Sequence, residues 1–205
     1  MRNKGLKIKS KIAVIDFETT GFNPYENEVT EVVLVIIDGM TGEDIGVFNH
    51  LVKIKADEVP DRVTELTGIT KEATEEYGLE LSVIKPYLQS ALEDCIVVAH
   101  NYAFEAFWLD VVFGIKPKFF YDTLAIDRIA RPHESSHKLS DICEREGIDL
   151  TNAHRAIHDA KATLELVVKQ LNWSDDNRKE FLNTITTRKG QEDYLPNNVM
   201  RMEPL

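Results

Sequence analysis

One stretch near the N-terminus constrains the fold more than any other: Lys11-Ile12-Ala13-Val14-Ile15-Asp16-Phe17-Glu18-Thr19-Thr20-Gly21-Phe22. It begins as the apolar run of a buried strand and ends with two acids. Val14, Asp16 and Glu18 share a parity, so alternating side chains project both carboxylates from one sheet face. Burying two like charges without a compensating cation is costly. Hard divalent ions such as Mg²⁺ or Mn²⁺ are the usual partners of such oxygen clusters. The stretch therefore points to a metal site at the end of a sheet strand.

Around it, the pattern predicts strands over about 11–18, 29–38 and 45–54, with a hairpin turn at Asp38-Gly39-Met40-Thr41-Gly42. Helical patterns follow at about 61–66 and 79–93. A short apolar strand, Ile96-Val97-Val98-Ala99, then leads into a helix at about 103–113. A strand near 119–121 precedes helices at about 122–130, 138–146 and 156–171. Strands first, then strands separated by helices, imply an α/β fold with a mixed sheet covered by helices. The 205 residues fit one domain, expected over 1–172, with a C-terminal helix and tail over 173–205. Ser174 is placed to cap that last helix, with Asp175 and Asp176 in its first turn and Gly190 as its stop.

If Asp16 and Glu18 hold metal, other segments must supply further oxygen ligands and a base. One is Val98-Ala99-His100-Asn101-Tyr102-Ala103-Phe104-Glu105, where a strand ends and a helix opens with an acid among aromatic residues. A solvated first-turn glutamate is the plainer reading of Glu105 taken alone. The other is Asn152-Ala153-His154-Arg155-Ala156-Ile157-His158-Asp159-Ala160, where Asp159 sits beside a small-residue face suited to close packing. His154 precedes Asp159 by five positions, roughly 140° around a helix, so the two converge only if His154 lies on the loop before the helix. A histidine so placed has the pKa of a general base.

Taken together, these segments resemble the DnaQ-like 3′–5′ exonucleases of the DEDD class. Asp16-Phe17-Glu18-Thr19-Thr20-Gly21 matches that family's D-x-E-T-T-G. His100-Asn101-Tyr102-Ala103-Phe104-Glu105 is similar to its H-N-x-x-F-D, with Glu in place of Asp. His154 to Asp159 follows the H-x-x-x-x-D spacing of the histidine (DEDDh) subclass. Thr67-Gly68-Ile69-Thr70 and Tyr121-Asp122-Thr123-Leu124 also resemble family connectors, and the match spans roughly 10–171. The resemblance implies a ribonuclease H-like mixed five-stranded sheet flanked by helices, with a C-terminal helical extension. It also implies a two-metal mechanism using Mg²⁺ or Mn²⁺. Asp16 would bridge the ions, Glu18 and Asp159 would complete one shell, and Glu105 would reach its ion through water. His154 would take the proton of the attacking water. Thr20, Gly21, Phe22, Asn101 and Phe104 would bind substrate. The extra methylene of Glu105 moves its carboxylate about 1.5 Å further out, which water-mediated contact tolerates better than direct ligation.

The expected activity is release of nucleoside 5′-monophosphates from 3′ ends of single-stranded nucleic acid, DNA favoured over RNA. An exoribonuclease, or a catalytically weakened nucleic-acid-binding module, is the alternative. A purely structural cation site would explain the acids but not the histidine. The net charge of −11 argues against a protein that coats long duplexes. The basic start, Arg2 to Lys11, is read as a solvated terminus. No apolar run has the length of a membrane span, and no secretory leader is evident. Cys95 and Cys143 are read as reduced core residues of a cytoplasmic protein. A DNA polymerase or a second copy of the chain is a conceivable partner, which the sequence does not decide.

Overall fold

The structure is a computed structural model and describes residues 8–150, 155–172, 184–186 and 200–202. Its centre is β1 (Lys11–Thr19), followed by β2 (Val29–Asp38) and β3 (Asp44–Leu51). The Asp38 carboxylate caps the β2–β3 turn, accepting from the amides of Met40 and Thr41 at 2.8 Å each. Gly42 supplies the positive φ of 72° that this turn needs. With β4 (Cys95–Ala99) and β5 (Phe119–Asp122), the sheet has the order β3-β2-β1-β4-β5. β1 pairs antiparallel with β2 on one side and parallel with β4 on the other. This is the mixed five-stranded sheet that the sequence predicts.

Around the sheet run α1 (Asp61–Thr67), α2 (Lys71–Tyr77), α3 (Leu81–Ala91), α4 (Tyr102–Trp108), α5 (Thr123–Ala130), α6 (Leu139–Glu146) and α7 (Ala156–Asn172). Alternation along β1 divides the core. Ala13, Ile15 and Phe17 face α3 and α4, packing with Ile84, Leu88, Ala106 and Trp108. Ile12 and Val14 face α7, packing with Ala156, Ala160 and Val167. Burying each large apolar side chain of this kind stabilises the fold by about 1.5–3 kcal/mol. Phe17 also stacks on Phe113, with centroids 5.4 Å apart.

The parallel β1–β4 register stops at Val14↔Val98, whereas β1 runs on beside β2 to Thr19. Asp16 and Glu18 therefore emerge where one side of β1 has lost its strand neighbour, at the carboxyl end of the sheet. Sheets of this kind bind ligands at such switch points.

The structure alters three expectations. The helix expected over 79–93 begins only at Leu81, because Leu79 bridges to Val52 and its amide donates to the Leu51 carbonyl at 2.8 Å. The helix expected over 103–113 changes at Leu109 into a π-helical turn, Leu109–Phe113, closed by Gly114 at φ 66°. Most of the C-terminal helix expected from Ser174 to Gly190 lies outside the described residues. Within it, Thr184–Thr186 forms a strand, β6, paired in parallel with β7 (Met200–Met202). The β-branched Thr184-Ile185-Thr186 run favours extended backbone over helix. β6 lies against β5, α4 and α5.

Candidate active site

Three carboxylates converge at the open end of β1. Asp16, Glu18 and Asp159 each offer an oxygen, and these oxygens lie within 4.8 Å of one another. The strand supplies the first two through their shared parity. Helix α7 supplies the third, because Ala156 and Ala160 are small enough to let it lie close on the Ile12–Val14 face of β1.

Glu105 enters from the opposite layer. It sits in the first turn of α4, only 3% exposed, and its Oε2 has no hydrogen-bond partner. A buried, unsatisfied carboxylate oxygen is expensive unless a cation or proton answers it. Glu105 is thus no solvated first-turn glutamate.

The electrostatics follow from this crowding. Burial holds the Asp16 carboxyl well above its ordinary range, and Glu18, Asp159 and Glu31 push it further. Burial, then Glu31 and Asp159, raise Glu18 to about 8. Burial also raises Glu105, and Asp16 is the largest charge acting on it. An all-oxygen donor set that resists ionisation on its own fits a hard divalent cation, which replaces the missing positive charge.

Sequence reasoning missed Glu31. It lies directly opposite Glu18 in the β1–β2 register, and burial raises its own pKa against the charge of Arg155. The signal available was an acid near the start of the otherwise apolar run Val29–Ile37.

The loop after β1 is closed by Thr20, whose amide donates to the Glu28 carbonyl at 2.8 Å while its hydroxyl accepts from the Glu28 amide at 2.9 Å. Gly21 packs so tightly that a Cβ there would lie 2.6 Å from Asn27 Cγ. Phe22 is 87% exposed and meets Phe104 edge-on, with centroids 6.4 Å apart.

Asn101 is exposed at the start of α4 with φ 72°, a left-handed conformation that asparagine tolerates. Its amide donates to Asp122 Oδ1, which also caps α5. The neighbouring His100 is a strut. Its Nδ1 lies 2.9 Å from the Thr123 hydroxyl and its Nε2 lies 3.1 Å from the His137 carbonyl. A carbonyl can only accept, so Nε2 carries the proton and Nδ1 accepts. Burial lowers the His100 pKa to about 4, consistent with that neutral ring. His154 lies outside the described residues; α7 begins two positions after it, at Ala156.

The exonuclease family RNase_T matches residues 13–167. A 3′-5′ exonuclease DinG of Staphylococcus saprophyticus is 31% identical over 168 residues, covering 76% of this chain and 17% of that protein. A DNA polymerase III PolC-type of Thermotoga maritima is 32% identical over 161 residues, covering 76% of this chain and 11% of that protein. Among solved structures, the zinc-bound form of an Escherichia coli exonuclease I–single-stranded DNA complex superposes with a TM-score of 0.73 at 19% identity. It covers 83% of this chain and 42% of that chain. Exonuclease I with a dT13 oligonucleotide gives 0.69 at 20% identity, covering 78% and 40%. The chain thus spans less than a fifth of the curated relatives it matches, and the structural likeness is one of fold. Motifs, sheet topology and the family match agree: the chain belongs to the DnaQ-like RNase_T exonuclease family, with a ribonuclease H-like fold.

Proposed function

We propose that the chain is a metal-dependent 3′–5′ exonuclease acting on single-stranded ends, DNA in preference to RNA, and releasing nucleoside 5′-monophosphates. The observation that carries this reading is the convergence of the Asp16, Glu18 and Asp159 carboxylates within 4.8 Å at the open end of β1. Asp16, Glu18 and Asp159 would hold one divalent ion, and Asp16, with Glu105 reaching through water, would hold a second, Mg²⁺ or Mn²⁺. When bound, such ions neutralise charge at the scissile phosphate and activate water.

The remaining work falls to side chains. His154, five positions before Asp159 in the sequence, would accept the proton of the attacking water, a role that the pKa of histidine suits. The Thr20–Gly21 backbone seats the terminal sugar, and Phe22 with Phe104 flanks the last base. Stacking there is tolerant of sequence. The single-stranded DNA in the exonuclease I complexes supports this choice of substrate, and the polymerase relative supports a role beside DNA synthesis. Action in the cytoplasm goes with that reading. Among the described residues, no helix is long and apolar enough to cross a membrane.

The test is incubation with 5′-labelled single-stranded DNA and RNA, with Mg²⁺ or Mn²⁺ and then with chelator. A ladder shortening from the 3′ end, lost with chelator and faster on DNA, is expected. Faster shortening of RNA would replace this reading with an exoribonuclease. Binding without shortening would leave only an accessory module.

A further inference from the structure

Helix α4 carries Glu105 in its first turn, yet it has no cap of its own. Asn101, at its N-cap, takes the left-handed φ of 72°, and its side chain makes no capping hydrogen bond. The orphan amides at this end are answered from another strand. Asp122 closes β5 and lies opposite Ala99 in the β4–β5 register, beside the turn into α4. Its Oδ1 accepts from the Asn101 amide at 3.1 Å and, at the start of α5, from the amides of Leu124 at 3.0 Å and Ala125 at 3.3 Å. The Tyr102 amide, the first of α4, bonds to the same carboxylate.

Asp122 is fully buried. Burial raises its carboxyl to about 6 against the pull of these four amides, which leaves it ionised at pH 8. Amide bonds to an anion are roughly twice as strong as neutral ones. The far end of the helix is fixed by packing, since Phe113 of the π-helical turn stacks on Phe17, the residue between Asp16 and Glu18. Glu105 lies three positions after Tyr102, on the face of α4 that this turn sets. Its Oε2 has no hydrogen-bond partner, so the place of the carboxylate follows the backbone beneath it.

We propose that Asp122 is a positioning residue for the reaction, which sets the first turn of α4 and thereby holds Glu105 toward Asp16 for the second divalent ion. The inference rests on the exonuclease reading above and adds to it what fixes the Glu105 wall. A cap that served α4 alone could come from the helix's own N-cap side chain. Asp122 instead ties α4 to β5 and α5, so that Glu105 is placed relative to the sheet that bears Asp16.

The experiment is a double-mutant cycle of Asp122→Ala with Glu105→Ala at pH 8. It reads Mn²⁺ binding by calorimetry, thermal unfolding in chelator, and kcat and KM on a 5′-labelled thymidylate hexamer. Asp122→Ala is expected to weaken Mn²⁺ binding and to lower kcat by up to about 10²-fold, the effect of a misplacement of about 1 Å, with KM little changed. In Glu105→Ala protein the same change should weaken Mn²⁺ binding no further, although it lowers Tm equally in both backgrounds. Asp122→Asn keeps an acceptor oxygen without the charge and is expected to lose less of each; it takes the place of Asp122→Ala in the cycle if that protein does not fold. Unchanged Mn²⁺ binding in the Asp122 variant, or an equal loss with and without Glu105, means a cap that serves stability only and overturns the positioning role while the exonuclease reading stands. A wild-type protein that leaves the hexamer whole overturns both.

Discussion

Glu18 and Glu31 face each other across the β1–β2 pair, and like charges directly opposite one another destabilise a sheet. Replacing Glu31 by Gln removes the charge that most strongly raises Glu18 after burial itself. The sign follows from linkage. A carboxyl whose folded pKa is raised from 4.5 to about 8 contributes stability that is complete below 4.5 and lost as pH rises toward 8. Metal-free Glu31→Gln should therefore melt higher than wild type at pH 8 and level with it near pH 4.5, read by thermal denaturation in chelator. At the same scale, Asp16→Ala should lower mononucleotide release by ~10²–10³-fold or more, as expected for loss of charge stabilisation at the reacting centre. Glu105→Asp should retain or raise it, because the shorter acid restores the family spacing. Asp16, Glu18 and Asp159 were legible because their motifs keep local spacing. Glu31 was not, because its role comes from strand register, which no local spacing encodes.

Among the elements, α7 does most to assemble the site, and it does so by being thin. Ala160 is 1% exposed, packed among the residues that join α7 to β1 and β4, and it neighbours Asp159 in sequence. Ala160→Leu overpacks that contact and should cost about 1–3 kcal/mol. Because the helix must lift, Asp159 leaves its partners, so kcat should fall beyond what the stability loss explains. Urea denaturation beside kinetics at saturating metal separates the two effects; unchanged kcat with lowered stability would mean that α7 placement is not limiting. The alanines of this helix announced it in the sequence. α2 had no such signature, because Lys71-Glu72-Ala73-Thr74-Glu75-Glu76-Tyr77 lacks a continuous apolar face. It forms from its Thr70 cap, which accepts from the Ala73 amide at 3.2 Å, and from burial of Thr74. The strand at 184–186 was hidden in a similar way: an apparent helix start and stop framed it, and pairing with residues 200–202 decides its conformation.

Across the whole molecule, two opposed titrations shape stability. The acid site behaves as described for Glu18, losing its contribution as pH rises from 4.5 toward 8. His100, neutral between Thr123 and His137, runs the other way. Its pKa falls from 6.5 to about 4 on folding, so its contribution is complete above 6.5 and lost as pH falls toward 4. That loss amounts to about 3 kcal/mol at most. Between pH 4.5 and 6.5 the windows overlap, and the losses at Glu18, Asp16 and Glu105 outweigh the gain at His100, so metal-free protein should lose stability as pH rises from about 4.5 toward 8. A divalent ion binds the ionised carboxylates and stabilises only the folded chain, in competition with protons. Adding Mg²⁺ or Mn²⁺ should raise Tm more at pH 8 than at pH 6 and so flatten that decline, while the His100 contribution stays in place. Melting curves from pH 4.5 to 8.5, with chelator and with Mn²⁺, decide it. An equal Tm gain at pH 6 and pH 8 would mean that the ion is not held by the raised carboxylates of Asp16, Glu18 and Glu105.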